Sequence, residues 1–155
     1  MKIGQGYDRH RLAPDRDLIL GGVKIDYHLG LDGHSDADVL LHAITDALLG
    51  AIGQGDIGEL FPDTDPQYKG ADSAKLLSVV VEKVRISGYK IANIDCTIFA
   101  QKPKLVPHKP QIKTRVAKLL GINENLVNIK AKTGESRGAV GREEVIDAAA
   151  TVLLT

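Results

Sequence analysis

Cysteine is almost missing from this sequence. Cys96 stands alone among 155 residues, which excludes an intrachain disulfide and any cysteine-built metal cluster. Its neighbours are apolar and rich in β-formers, so it reads as a small core residue rather than a nucleophile. Tryptophan is absent and aromatic residues make up only 4%, which leaves little for nucleic-acid bases to stack on. Neither sign of charge is in excess: 20 Lys and Arg balance 20 Asp and Glu. With no net charge, nothing suggests nucleic acid or an anionic membrane surface as a partner. No apolar run is long enough to span a bilayer, and no basic-then-apolar leader opens the chain. A cytoplasmic location is expected, or a plastid if this is a mature organellar form. The remaining composition, 43% hydrophobic and 26% charged, is ordinary for a globular protein with one real core.

Periodicity divides the chain into strands and helices. Lys2 to Leu12 reads as extended, with Gly4 and Gly6 allowing close backbone approach. Leu18 to Gly22 and Val23 to Tyr27 read as a hairpin. Ser35 followed by Asp38 marks a helix start, and a helix is expected from about Asp36 to Ile52, with Val39, Leu40, Ala43, Ile44, Ala47 and Leu48 inward. A loop from Gly53 to Gly70 precedes a second helix, about Ser73 to Ser87, that buries Leu76, Leu77, Val80, Val81 and Val84 and stops at Gly88. Ile94, Cys96, Ile98 and Ala100 form the buried face of a strand. Pro107 opens a third helix, with Ile112, Val116, Leu119 and Leu120 inward and Gly121 at its end. Val127 to Lys132 is a strand, while both periods fit Val145 to Leu154. With no repeat, low-complexity tract or linker, residues 1–155 read as one α+β domain.

Several polar groupings could carry chemistry. Asp8 and His10 lie two apart in an extended segment, so both point to one face. His42 falls on the first helix with Asp38 and Asp46 at i−4 and i+4, a polar stripe opposite the core. Asp8, His10 and His42 make three ligands, the number a catalytic zinc site uses when its fourth position stays open. Surface polar residues without a metal would give the same pattern. The segments Gly55-Asp56-Ile57-Gly58 and Phe61-Pro62-Asp63-Thr64-Asp65-Pro66 are acidic and turn-rich, which local turn chemistry also explains. Two lysines in Gln101-Lys102-Pro103-Lys104-Leu105-Val106-Pro107 suit a phosphate, or solvated surface. The run from Lys130 to Glu144 mixes cations, hydroxyls, glycines and carboxylates. It could offer backbone N–H groups to phosphate and a carboxylate to Mg²⁺, but it is not a Walker sequence. His28 and His108 carry no partner pattern.

In their order these motifs resemble one family, the 2-C-methyl-D-erythritol 2,4-cyclodiphosphate synthases of the non-mevalonate isoprenoid route. Gly4-Gln5-Gly6-Tyr7-Asp8-Arg9-His10 is similar to the family's Gly-His-Gly-Phe-Asp-x-His. Gly33-His34-Ser35-Asp36-Ala37-Asp38-Val39-Leu40-Leu41-His42-Ala43 is similar to its Ala-His-Ser-Asp-Gly-Asp-Val-x-x-His-Ala. Thr45 to Gly50 and Gly55 to Pro66 match nearly letter for letter, and Gln101-Lys102-Pro103-Lys104, Pro107-His108 and Asn128-Ile129-Lys130-Ala131 match too. Several long motifs in one order are far more specific than any one of them, and they favour the zinc reading.

The resemblance implies a single-domain sandwich of a mixed β-sheet with helices on one face, Val145 to Leu154 being a strand. It implies a homotrimer with active sites between neighbours. The reaction it implies is intramolecular: the 2-phosphate of 4-diphosphocytidyl-2-C-methyl-D-erythritol 2-phosphate attacks its own β-phosphorus, CMP leaves and a cyclic diphosphate forms. By resemblance, Asp8, His10 and His42 hold one Zn²⁺ per subunit, and Glu135 helps place Mg²⁺ or Mn²⁺ on the substrate diphosphate. His34 and Thr133 stabilise the transition state. Asp56 and the loop of Phe61, Pro62, Asp63, Thr64 and Asp65 hold the methylerythritol part, and Asp8, Arg9, His10, His34, Ser35, Ile57 and Gly58 also bind the substrate. Ala100, Gln101, Lys102, Pro103, Lys104, Leu105, Val106, Lys132, Thr133, Gly134 and Glu135 frame the cytidine and its phosphates. Arg142, with Glu144, matches positions that in some members lie near a central cavity for isoprenoid diphosphates.

The chain departs from the pattern at several places. Gln5 stands for a common His, Ala37 for Gly, Lys132-Thr133-Gly134 for Thr-Thr-Thr and Ala139 for a frequent Phe. Two readings from other classes stand beside the synthase: a metal-dependent phosphohydrolase on the same loops, and a non-catalytic trimeric small-molecule binder. Product analysis separates the first, and turnover with sensitivity to His42→Ala separates the second.

Overall fold

The computed structural model describes residues 1–155. Strands β1 (Lys2–Ala13), β4 (Gly30–Asp32), β5 (Ile91–Phe99), β6 (Val127–Lys132) and β7 (Val145–Leu154) form one sheet in the order β4-β1-β7-β5-β6. The β5–β6 pair is parallel and the others are antiparallel, so the sheet is mixed. Strands β2 (Leu18–Leu20) and β3 (Val23–Ile25) make the separate hairpin that the sequence suggests. Strand β7 resolves the ambiguous segment: it lies between β1 and β5, pairing with β1 throughout and with β5 from Asp147 onward.

Helices α1 (Val39–Ile52), α3 (Ser73–Ile86) and α4 (Lys109–Leu120) cover one face of the sheet. That face buries Ile94, Cys96 and Ile98 of β5, Val127 and Ile129 of β6, and Ile146, Ala148, Ala150, Val152 and Leu154 of β7. Period-two alternation sends their neighbours to the other face, where Ile3 is 73% exposed and Tyr7 53% exposed. On that open face Asp147 takes two hydrogen bonds from Arg9, at 2.7 and 2.8 Å, and one from Tyr7 at 2.7 Å. The fold is therefore α+β, a mixed sheet with helices on one side only.

Gly4 and Gly6 position α1. A Cβ on Gly6 would lie inside the carbonyl oxygen of Ala43 and 2.8 Å from the nitrogen of Ala47. Without side chains at these positions β1 approaches the helix backbone itself, and the residues that follow, Asp8 and His10, are carried close to His42.

Two helix starts differ from expectation. Helix α1 starts at Val39, three residues late, because Asp38 is the cap: its carboxylate accepts the N–H of Leu41 at 3.0 Å. Ala37, just before it, has φ of 56° and is fully buried. The departure from Gly thus places a methyl group in left-handed backbone. The third helix begins at Lys109, after a 3-10 turn over Val106–His108, and buries Ala117 where Leu119 was expected. Strand β4 and the four-residue helices α2 (Ile57–Leu60) and α5 (Gly138–Gly141) are too short to carry a periodic signal.

Candidate metal centre

Strand β1 and helix α1 together build a compact ligand cluster. The side-chain donor atoms of Asp8, His10 and His42 all lie within 4.8 Å of one another. Asp8 Oδ2 is 2.9 Å from His10 Nε2 and 3.0 Å from His42 Nδ1, and the two imidazole nitrogens are 3.1 Å apart. Away from the cluster, His10 Nδ1 donates to the carbonyl of Asp32 at 2.8 Å. A carbonyl only accepts, so Nδ1 carries a proton, and in the neutral ring Nε2 presents its lone pair. One carboxylate and two imidazoles aimed at a single point fit a divalent cation.

The polar stripe expected on α1 is not an exposed face. Asp38 is 0% and His42 8% exposed, because α1 is enclosed by the sheet, by α3 and by the β2–β3 hairpin. Asp38 also accepts the N–H groups of Gly21 at 2.9 Å and Gly22 at 2.6 Å, tying the hairpin to the helix start. Burial pushes its carboxyl up to about 6, against the pull of the Gly22, Leu41 and Gly21 amides. Asp46 is half-buried and accepts the N–H of Ile57 at 2.8 Å, which fixes the acidic loop beside the helix.

Charge inside the cluster shifts both partners. Burial raises the Asp8 carboxyl, but hydrogen bonds and charge from His10 and His42 outweigh it and hold the group well below the usual carboxylate range. Burial lowers the His10 imidazole, but the Asp8 hydrogen bond and charge overcome it and carry the net shift upward. The two shifts have opposite consequences for the metal-free protein. A raised histidine stabilises the fold below its ordinary value of 6.5, and that contribution disappears as pH rises through the elevated folded value. A depressed carboxyl stabilises above 3.8 and loses that contribution as pH falls. Metal-free protein should therefore melt at lower temperature as pH is raised above 6.5. Asp8→Asn should flatten the slope. Parallel slopes in wild type and Asp8→Asn would show that the pair contributes nothing.

The cluster opens into a cavity of about 290 Å³ lined by Asp8, His10, His34, Ser35, His42, Ile57, Gly58, Phe61, Asp63, Tyr68 and Leu76. Of the substrate-binding residues expected between Asp8 and Asp65, most meet here, but of those expected around the methylerythritol part only Phe61 and Asp63 do. Asp56 instead caps α2, accepting the N–H of Glu59 at 2.9 Å. Asp65 caps the turn at Pro66–Tyr68, and its carbonyl lies 3.4 Å from His34 Nε2. Pro62 and Thr64 are exposed on the same loop outside the cavity lining. Arg9 lies on the opposite face of the sheet, paired with Asp147. Tyr68 and Leu76 were not anticipated as site residues. Leu76 read as core from its helical period, and Tyr68, edge to face with Phe61 at 5.3 Å between centroids, falls in a segment without a motif.

The remaining expected residues gather elsewhere. Ala100, Gln101, Pro103, Lys104, Leu105, Val106, Ala131, Lys132 and Thr133 line a second cavity of about 340 Å³ that shares no residue with the first. Gln101 Oε1 accepts the N–H groups of Gly134 at 3.2 Å and Ser136 at 3.3 Å, joining the two loops around it. Thr133 Oγ1 donates to Glu135 at 2.7 Å. Lys102 lies outside the lining, 3.7 Å from Glu143. Arg142 pairs with Glu144 at 2.7 Å, apart from both cavities. Cys96 is buried, and burial pushes its thiol up to about 12, so it has no nucleophilic role.

A mixed sheet packed on one side by helices, with a carboxylate and two imidazoles that could hold a cation lining an acidic-loop cavity, defines a small α+β enzyme with a candidate metal site. The YgbB family model matches residues 1–155, and the chain belongs to that family. A 2-C-methyl-D-erythritol 2,4-cyclodiphosphate synthase of Listeria monocytogenes is 59% identical over 154 residues, covering 99% of this chain and 98% of the relative. A solved CDP-bound 2C-methyl-D-erythritol-2,4-cyclodiphosphate synthase superposes with a TM-score of 0.91 at 38% identity, over 99% of both chains. The bifunctional IspDF of Campylobacter jejuni superposes with a TM-score of 0.95 at 44% identity; the match covers 99% of this chain and 42% of that longer one.

Proposed function

We propose that this chain, working as one domain over residues 1–155, carries out the reaction of its synthase relatives. It would convert 4-diphosphocytidyl-2-C-methyl-D-erythritol 2-phosphate to 2-C-methyl-D-erythritol 2,4-cyclodiphosphate and CMP in isoprenoid biosynthesis. The observation that carries this reading is the convergence of Asp8, His10 and His42 in the lining of the acidic-loop cavity.

Nucleophile and electrophile in this reaction are both phosphate groups of one molecule, so positioning and charge neutralisation carry the chemistry. Asp8, His10 and His42 would hold Zn²⁺, which suits two imidazoles and a carboxylate better than Ca²⁺ or Mg²⁺ does. When bound, the ion supplies Lewis-acid stabilisation of a phosphoryl oxygen. His34, on the cavity wall, would donate to the transferring phosphoryl group. Ser35, Asp56, Asp63 and the backbone of the 57–65 loop would hold the methylerythritol hydroxyls. The second cavity would take the cytidine, in keeping with the CDP held by a relative. There Lys104 and Lys132 would offset phosphate charge, Thr133 would donate to an oxygen that gains charge, and Glu135 would hold Mg²⁺ or Mn²⁺ on the diphosphate.

One substrate must reach both cavities, yet they share no residue within a chain. A homotrimer with sites between subunits supplies the missing juxtaposition. The open sheet face, with Ile3 and Tyr7 uncovered, is the surface it would bury. In that arrangement Arg142 and Glu144 would border a central cavity able to take an isoprenoid diphosphate. Action in the cytoplasm fits a protein whose one thiol is buried and free.

Purified protein incubated with the cytidyl substrate should release CMP without inorganic phosphate. Inorganic phosphate as the product would instead mark a phosphohydrolase, and no turnover a binding protein. Sedimentation should give three chains per particle. An inactive Asp8→Asn chain and an inactive Lys104→Ala chain, unfolded and refolded together, should regain turnover, because some mixed sites combine two intact halves. Mixed particles without turnover would rule out shared sites.

A further inference from the structure

His42 has a neutral imidazole's one proton to place, and only a proton on Nε2 leaves Nδ1 free to face Asp8 and His10. Two hydroxyls stand against Nε2: Ser73 Oγ at 2.9 Å and Ser35 Oγ at 3.2 Å. They are not equivalent. Ser35 Oγ accepts the N–H of Ala37 at 3.1 Å, so its own proton is uncommitted. Donated to Nε2, that proton would favour the tautomer that turns the lone pair away from the cluster. Ser73 cannot do this. Its hydroxyl donates to Asp36 Oδ1 in a very short contact, and a hydroxyl has only one proton. What Ser73 shows to His42 is a lone pair.

We infer that Ser73, held by Asp36, is a positioning residue for His42: it accepts the Nε2 proton and thereby commits Nδ1 to the metal. The inference rests on the metal reading above. Asp36 is itself fixed, receiving the N–H of Ser73 at 3.2 Å and that of Asp38 at 3.2 Å. Its carboxylate therefore links the start of α3 to the cap of α1. Ser73 is 1% exposed, so water cannot replace Asp36 as the acceptor of its proton. Partners of this kind on a metal-bound histidine set both ring orientation and tautomer, and their loss typically costs about 10- to 100-fold in metal affinity.

The test is zinc affinity by chelator competition for wild type, Ser73→Ala, Ser73→Thr and Ser35→Ala, each checked for folding by circular dichroism. Ser73→Ala should bind zinc about 10- to 100-fold more weakly, and Ser73→Thr, which keeps the hydroxyl, should regain most of the loss. Ser35→Ala should bind zinc with little change. A second readout keeps the inference falsifiable should the buried threonine not be accommodated. In ¹⁵N-histidine spectra of the zinc-loaded wild type, the His42 Nε2 proton should resonate at low field and exchange slowly with water. In Ser73→Ala it should exchange fast. Wild-type zinc affinity in Ser73→Ala, an equal loss in Ser35→Ala, or rapid exchange in the wild type would overturn the assignment of Ser73. A wild type that binds no zinc would remove the metal reading and this inference with it.

Discussion

His42→Ala is expected to lose its zinc and nearly all of its turnover while remaining folded. Two ligands would remain where three converge. Loss of a hydrogen-bonding partner behind a ligand already costs about 10- to 100-fold in metal affinity, so loss of the ligand itself should exceed ~100-fold. Turnover should fall with it by about a thousandfold or more, since a Lewis acid at a phosphoryl oxygen contributes several kcal/mol to the barrier and each ~1.4 kcal/mol is a factor of ten. Stability should change as well. His42 is buried at 8% exposure and hydrogen-bonds within the enclosed end of α1. Its removal leaves Ser73 and Asp8 with one partner fewer, a loss of roughly 1–3 kcal/mol. That is less than the ~5–15 kcal/mol of a typical domain, so a cooperative melt should survive at reduced temperature. Zinc content, CMP release and thermal unfolding check the three parts. Retention of stoichiometric zinc and full turnover would refute the site.

Gly6→Ala should be worse for the fold than any change in the metal cluster. The added methyl group would meet the backbone carbonyl of Ala43 and the backbone nitrogen of Ala47. No side-chain rotation relieves such a clash, so β1 and α1 must separate. Overpacking of this sort costs typically about 1–3 kcal/mol, and backbone obstruction belongs at or above the top of that range. In a chain of this length the melting temperature should drop by about 10 °C or more, with poor recovery of soluble protein as the extreme outcome. Gly50→Ala is the matched control. It is exposed on α1, nothing lies within 4 Å of its added Cβ, and the helix gains up to about 1 kcal/mol from the replacement. The same substitution at two glycines should thus change stability in opposite directions. A Gly6→Ala protein that melts like wild type would mean that β1 does not lie against α1 as described.

The alternating and helical segments were legible because local pattern and tertiary burial agree in them. Ile94, Cys96 and Ile98 alternate on a sheet covered on one face, and Ile112, Val116 and Leu120 recur on a helix with one buried side. The last strand was not legible from its period, since a small-residue run such as Ala148-Ala149-Ala150 suits either structure. Family resemblance indicated a strand, and pairing with both β1 and β5 makes it one. Helix α1 misled for a related reason. Its stripe of Asp38, His42 and Asp46 looks solvent-facing only if one side of the helix is free, and here α3 and the hairpin close that side.

The amino-acid order by itself determined the three long helices and the alternating strands, the pairing of Asp8 with His10 on one face, and the motif sequence that marks the family. These depend on spacing along one strand or helix, which the chain carries locally. Tertiary structure alone decided that His42 would come within 3.1 Å of His10, that Asp36 and Ser73 would stand behind it, and that Arg9 would find Asp147 as its partner. It also decided that the cytidine loop residues would line a cavity separate from the metal cluster. Each of these joins residues far apart in sequence, through the packing of bare-backbone glycines against a buried helix. No local preference encodes such a meeting, because it exists only once the sheet and the helices have closed on one another.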